Sequence, residues 1–324
     1  MGSEMARFAA RRLVSMAMVL FAVSLLVFLI FNVIPGGDPA ARMAGKVPTE
    51  REIEAIRAEW DFDEPVYAQY ATTMEKLFSG DLVSYVNQLN VTEEILKGAP
   101  RTFALAIGAS IIWMLFAIAL GVYGAVRAGA ISDRLLSALA LIGIATPVFW
   151  LGAMLGHYLG TELGLFPASG YVEFLDSPAE WLWHLILPWF TLAVLFIGIY
   201  SRVLRADITE TMGEEYVRAA RAKGLSERQV MLRHVLRNSL IPIVTLWGLD
   251  FGAVLGGGAI LTEQVFNLQG VGQYAADSIG QFDVPAVMGV VMYGAFFIVI
   301  FNTLVDIAYA ALDPRIRLEG GGRE

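Results

Sequence analysis

A run of about twenty apolar residues can cross a bilayer as a helix, and this chain carries six such runs. They lie at residues 13–34, 102–126, 135–159, 182–203, 240–261 and 286–312. With 56% apolar residues, 17% charged residues and a mean hydropathy of +0.60, the 324-residue chain has too little polar surface for a soluble domain. The fold class this predicts is an all-α polytopic membrane protein. The first run is about twice the length of a secretory h-region and lacks a convincing small-residue cleavage site, so it reads as a retained anchor.

Six spans put both termini on one side, and the basic residues of the short loops say which. Arg7, Arg11 and Arg12 precede the first span, Arg127 and Arg134 flank the second loop, and Arg315, Arg317 and Arg323 follow the last span. Residues 202–239 hold eight basic side chains, whereas loops 160–181 and 262–285 hold none. Both termini are therefore expected in the cytoplasm. The expected organisation is a tail and first helix over 1–34, an extracytoplasmic helical cap over 35–101, a five-helix core over 102–312 with a cytoplasmic loop at 204–239, and a tail over 313–324. Thr49 with Glu52 forms a capping box in the cap, Ile53, Ile56 and Trp60 follow at helical spacing, and a second helix runs from Pro65 at its first position to Gly80. The triplet Asn90 to Thr92 fits a glycosylation sequon, a common chance match.

Catalytic signatures are missing. There is no phosphate-binding loop of the G-x-x-x-x-G-K-[ST] type, since Val47 follows Gly45 and Lys46. His157, His184 and His234 show no ligand spacing, there is no cysteine, and a net charge of −8 with pI near 5.0 argues against a nucleic-acid partner. Neither a metal nor a bound cofactor is expected. If this chain works against a gradient, another subunit supplies the energy.

The basic loop is unusually well punctuated. Glu214 sits four residues before Arg218, Ala219, Ala220 and Ala222 keep the helix surface low, Gly224 suits a left-handed stop, and Ser226 with Gln229 forms a capping box. Leu225 and Val230 stand at the hydrophobic-staple positions. Low alanines, an aromatic at Tyr216 and a rim of Arg218, Arg221 and Lys223 would make a docking knob for another protein. Arginines that merely snorkel to lipid headgroups explain the same composition, and physics alone leaves both readings open.

The segment EYVRAARAKGLSERQVMLRHVLRNSLIPIV resembles the EAA loop of permease subunits in binding-protein-dependent ABC importers, most closely the dipeptide, oligopeptide and nickel class. It keeps Ala219, Ala220, Gly224 and Leu236 of the general pattern and departs at Arg218, His234 and Arg237, as the peptide class commonly does. The likeness continues in LLVFLIFNVIPGGDPA, DEPVYAQY, LFSGDL, PRTFALA, TPVFWLG, GGGAILTEQVFNLQGVGQYAADSI and NTLVDIAYAALDPRIR, all similar to the first permease of such pairs. The resemblance implies a second permease subunit, two ATP-binding cassette ATPases that carry ATP and Mg, and an external solute-binding protein. It also implies that Glu215 to Lys223 form a coupling helix seated on an ATPase.

Within the spans, Gly248, Gly252 and Gly256 repeat at the small-xxx-small spacing that lets helices pack closely, or that serves a hinge. Gly152, Gly156, Gly160 and Gly164 form a similar row, and Pro147 is expected to kink the third span. Asn302, Asp306 and Tyr309 share one face of the last span, as an interhelical lock or a gate. Asp250 lies opposite the glycine seam of the fifth span, where it would face a translocation path with Trp247 and Val254, or else a structural partner.

The chain therefore reads as an ATP-driven importer's permease for peptides, with nickel complexes or oligosaccharides as alternative cargo. An ion-coupled transporter or channel is the competing class; it would favour more intramembrane charge and would need no docking knob.

Overall fold

The computed structural model describes residues 2–30, 40–41, 49–84, 86–281 and 283–312. Five helices among them are long and apolar enough to cross a membrane: Ala10–Phe28, Val91–Val126, Pro178–Thr211, Glu227–Gly258 and Val284–Ile307. The third apolar run departs from expectation. It is two helices, α5 (Ile131–Ala145) and α6 (Val148–Leu155, prolonged by a π-helical stretch to Glu162), bent by 98° at Thr146 and Pro147. Proline cannot donate to the preceding turn and drives the residue before it out of the helical region; Thr146 sits at ψ 122. Each arm of 15 residues reaches about 22 Å, short of a bilayer core of about 30 Å. The segment is thus a sharply broken helix pair, a broken span or a re-entrant loop, where the sequence predicted only a kink.

The remaining helices, in chain order, are α1 (Gly2–Phe28), α2 (Glu50–Glu59), α3 (Val66–Ser79), α4 (Val91–Val126), α7 (Pro178–Thr211), α8 (Glu215–Ala222), α9 (Glu227–Val230), α10 (Leu236–Ala253), α11 (Ile260–Phe266), α12 (Val271–Gly280) and α13 (Val284–Leu312). They fall into two compact units.

One unit gathers residues 1–103, 252–264 and 268–324. Here α1 packs along α13, with Val27, Phe28 and Met288 buried against Tyr70 and Met74 of α3. Ser24 and Tyr70 share a hydrogen bond of 2.6 Å. A second cluster joins Trp60, Leu82, Val91 and Ala286, and Lys76 lies 3.8 Å over the Trp60 ring. The described part of the cap is therefore fastened to the ends of the first and last spans. The expected boundary at residue 101 falls inside α4, whose 36 residues run about 54 Å and so overshoot the bilayer. Thr49 and Glu52 form their capping box, and α3 stops at Gly80 with φ 83, although Pro65 takes the cap position and not the first helical one. Asn90 caps α4: its Oδ1 accepts from the Glu93 N–H at 3.0 Å and its Nδ2 donates to the Gly80 carbonyl at 2.6 Å. That side chain is occupied structurally, which removes the simple reading of the sequon.

The other unit holds residues 104–251 and 265–267. Its core is built on Trp113, Leu185, Leu192, Tyr200, Leu204 and Ile208. The Trp189 indole donates to the Ala104 carbonyl at 2.9 Å, and its ring fills the space beside Gly108. Arg205 on α7 makes two hydrogen bonds of 2.7 Å to Asp133 at the start of α5, and Asp133 also accepts from the Gly129 N–H at 2.9 Å. This fork ties the second loop to the segment leading into the basic loop.

Candidate coupling loop and path residues

The basic loop is built before any partner arrives. An eight-residue helix is too short to persist alone in water, so α8 depends on how its ends are held. At its end Gly224 has φ +82, the Gly224 N–H donates to the Arg221 carbonyl at 2.9 Å, and the Leu225 N–H donates to the Ala220 carbonyl at 3.4 Å. This pair of bonds is a Schellman stop, which needs a left-handed residue where glycine stands. Ser226 and Gln229 then make the predicted reciprocal capping box. Tertiary bonds fix the aim. Asn238 Nδ2 donates to the Tyr216 hydroxyl at 2.7 Å, Arg218 donates to the Gly213 carbonyl at 2.8 Å, and Arg221 forks onto Glu227 at 2.9 and 3.2 Å.

Glu215, Tyr216, Arg218, Ala219, Ala222, Lys223 and Gly224 present an exposed face. Val217 and Ala220 turn inward and are buried, and Arg221 is half-buried in its ion pair. Of the three alanines expected to keep the helix low for a partner, Ala219 and Ala222 are exposed and Ala220 is buried. A period of 3.6 residues sets Ala220 on the same side as Val217, three residues before it, and both are buried.

In the fifth span, Gly252 and Gly256 abut the last span: a Cβ at either would lie 2.7 Å from Phe301 or Ile298. Gly248 is buried as well. Asp250 is half-buried and accepts a hydrogen bond of 2.6 Å from the Tyr200 hydroxyl, itself wholly buried beside Trp113 and Phe196. Trp247 is half-buried and stacks on Phe251 with centroids 5.2 Å apart. Val254, expected beside them, is buried at 2% exposure and lines no surface of the single chain. In the last span Asp306 pairs with Arg12 of α1 at 2.7 Å and Asn302 is half-buried, while the Tyr309 side chain lies outside the described residues. Among the described residues no group of three or more His, Cys, Asp or Glu could hold a metal ion.

Over residues 117–318 the sequence matches the family described as Binding-protein-dependent transport system inner membrane component. The chain belongs to that family. Residues 5–106 match the companion description, Binding-prot-dependent transport system membrane comp, N-term. A putative peptide transport system permease protein of Brucella abortus (strain 2308) is 37% identical over 302 residues, covering 93% of this chain and 96% of its own. The glutathione transport system permease protein GsiC of Escherichia coli (strain K12) is 36% identical over 315 residues, covering 97% and 99%. Among solved structures, the inward-facing MetNI methionine ABC transporter aligns with a TM-score of 0.51 at 17% identity, over 68% of this chain and 96% of that one. At that identity the likeness concerns the fold alone. The permease is a multi-pass protein of the inner or plasma membrane, and permease subunits of this family are not themselves catalytic.

The sequence reading passed over one buried carboxylate of the permease, Glu263 on α11, which has no exposed surface. Thr102 Oγ1 donates to its Oε1 at 2.7 Å, and the Gln273 N–H donates to its Oε2 at 2.8 Å. Burial pushes this carboxyl above the usual carboxylate range, while Thr102 and the N–H groups of Gln273 and Gly272 hold it down. A lone acid between a glycine run and the motif NLQGVG was the available signal.

Proposed function

We propose that this permease carries peptides, forming the translocation path with a second permease subunit and receiving its drive from ATP and Mg bound on two partner ATPases. The observation that carries the reading is the preformed coupling loop. Its helix stop and the capping box after it are closed by hydrogen bonds within the chain, so the exposed face of Glu215, Tyr216, Arg218, Ala219, Lys223 and Gly224 can dock at little folding cost. Peptide cargo is supported by the printed functions of the relatives, among them a peptide transport system and a glutathione transport system. Trp247 and Asp250 are the residues we place on the path, with Asp250 held in position by Tyr200. An external solute-binding protein would deliver cargo to the cap and to the outer segment around α11 and α12. Purifying the assembly from its native membrane and identifying the solute on its binding protein by mass spectrometry tests this. Peptides are expected; a nickel complex or an oligosaccharide would replace the cargo assignment, and the absence of any ATPase in the assembly would overturn the coupling role.

A further inference from the structure

The first turn of α12 is capped by side chains outside its own N-cap, one of them 169 residues away. Its N-cap residue is Gly270, which has no side-chain oxygen to accept the orphan amides of the first turn. Thr102, at the start of the second apolar run, accepts the Val271 N–H at 2.9 Å and passes its own hydroxyl proton toward Glu263. Glu263 takes the Gln273 N–H, and a Cβ at Gly270 would overlap its carboxylate. The connecting loop is wound tightly around this group: Asn267 and Gln269 have φ 50 and 56, the Leu268 N–H donates to the Glu263 carbonyl at 3.1 Å, and Arg101 donates to the Gln269 carbonyl and side chain at 3.2 and 2.9 Å. The partners of the Glu263 side chain named here donate, the array that fits an ionised carboxylate.

We propose that Glu263, relayed through Thr102, is the positioning residue that sets the aim of the outer hairpin formed by α11 and α12, on which the solute-binding protein docks. The proposal rests on the reading above that this segment meets the binding protein. The hairpin presents Gln269, Asp277 and Ile279 outward; Gln269 directly precedes the first turn that the Glu263 knot fixes, and Asp277 and Ile279 lie on the helix it begins. Replacing Glu263 by Gln keeps the volume but puts an NH2 or a single neutral oxygen where two acceptor oxygens stood. The Thr102 hydroxyl, already accepting from Val271, would have to turn away from its donor role. The knot therefore loosens at one bond without opening a cavity.

The test uses the complete importer in vesicles with its binding protein outside, comparing Glu263→Gln, Thr102→Val and Thr102→Ser. In Glu263→Gln and Thr102→Val the amides of residues 271–273 should exchange about tenfold faster or more, as expected for loss of a charge-assisted bond. The binding-protein concentration giving half-maximal uptake should rise by a similar factor, with uptake at saturation nearly unchanged. Thr102→Ser keeps the hydroxyl and should behave as the parent. Unchanged amide exchange in both disruptive variants would overturn the positioning role. Faster exchange with an unchanged half-saturating concentration would overturn its role in docking. A crosslinker at Gln269 of the parent that captures no binding protein would instead sink the underlying docking reading, so the two failures can be told apart.

Discussion

Gly224→Val tests the coupling loop where its geometry is most demanding. The residue sits at φ +82, and no heavy atom lies within 4 Å of the place a Cβ would occupy, so the substitution meets no steric wall. Its cost is confined to the backbone. A β-branched residue in the left-handed region costs about 1–3 kcal/mol, which would be recovered by abandoning the Schellman bonds and re-aiming α8. At about 1.4 kcal/mol per factor of ten, the aimed loop should lose roughly five- to 150-fold in population against misaimed states. Membrane abundance should stay normal, because the site lies outside the spans, while ATPase co-purification and uptake fall together. Gly224→Asn supplies the control, since asparagine tolerates left-handed angles and should retain most uptake. Normal uptake in the valine variant would refute the reasoning; equal loss in both variants would show that the partner needs the space rather than the angle.

Asp250→Cys places a single thiol in a chain that has no other cysteine, and its labelling by a water-soluble reagent should differ between nucleotide-free and ATP-trapped importer. An inert thiol in every state, with normal transport by Asp250→Leu, would remove Asp250 from the path. Tyr200→Phe deletes the one hydrogen bond that Tyr200 makes to Asp250 and should lower thermal stability by about 1.5–3 kcal/mol; no change would mean the carboxylate finds water instead. Gly108→Ala drives a methyl group into the Trp189 ring and should cost about 1–3 kcal/mol and reduce membrane abundance, whereas full abundance would show that α4 and α7 can part without penalty. Crosslinkers at Tyr67, 77% exposed, and at Gln269 should capture the binding protein. Gln273 is half-buried and its side chain accepts the Gln269 N–H at 2.7 Å, so a crosslinker there should react poorly.

Local features were legible in the sequence because their causes lie within a few residues. Span lengths follow from bilayer thickness, and the breaks at Gly80 and Gly224 and the boxes at Thr49 and Ser226 follow from backbone bonds that close over three to five positions. Proline at 147 was equally visible, but whether it bends a span or breaks it depends on what the two arms pack against, and the sequence understated a 98° break. The facing of Ala220, the burial of Val254 and the partners of the two acids belong to tertiary structure alone. Tyr200 is 50 residues from Asp250, and Thr102 is 161 residues from Glu263. A carboxylate removed from water must be met by donors, so the sequence by itself required that each acid have a partner. Only the packing of helices distant along the chain decided which hydroxyl would serve.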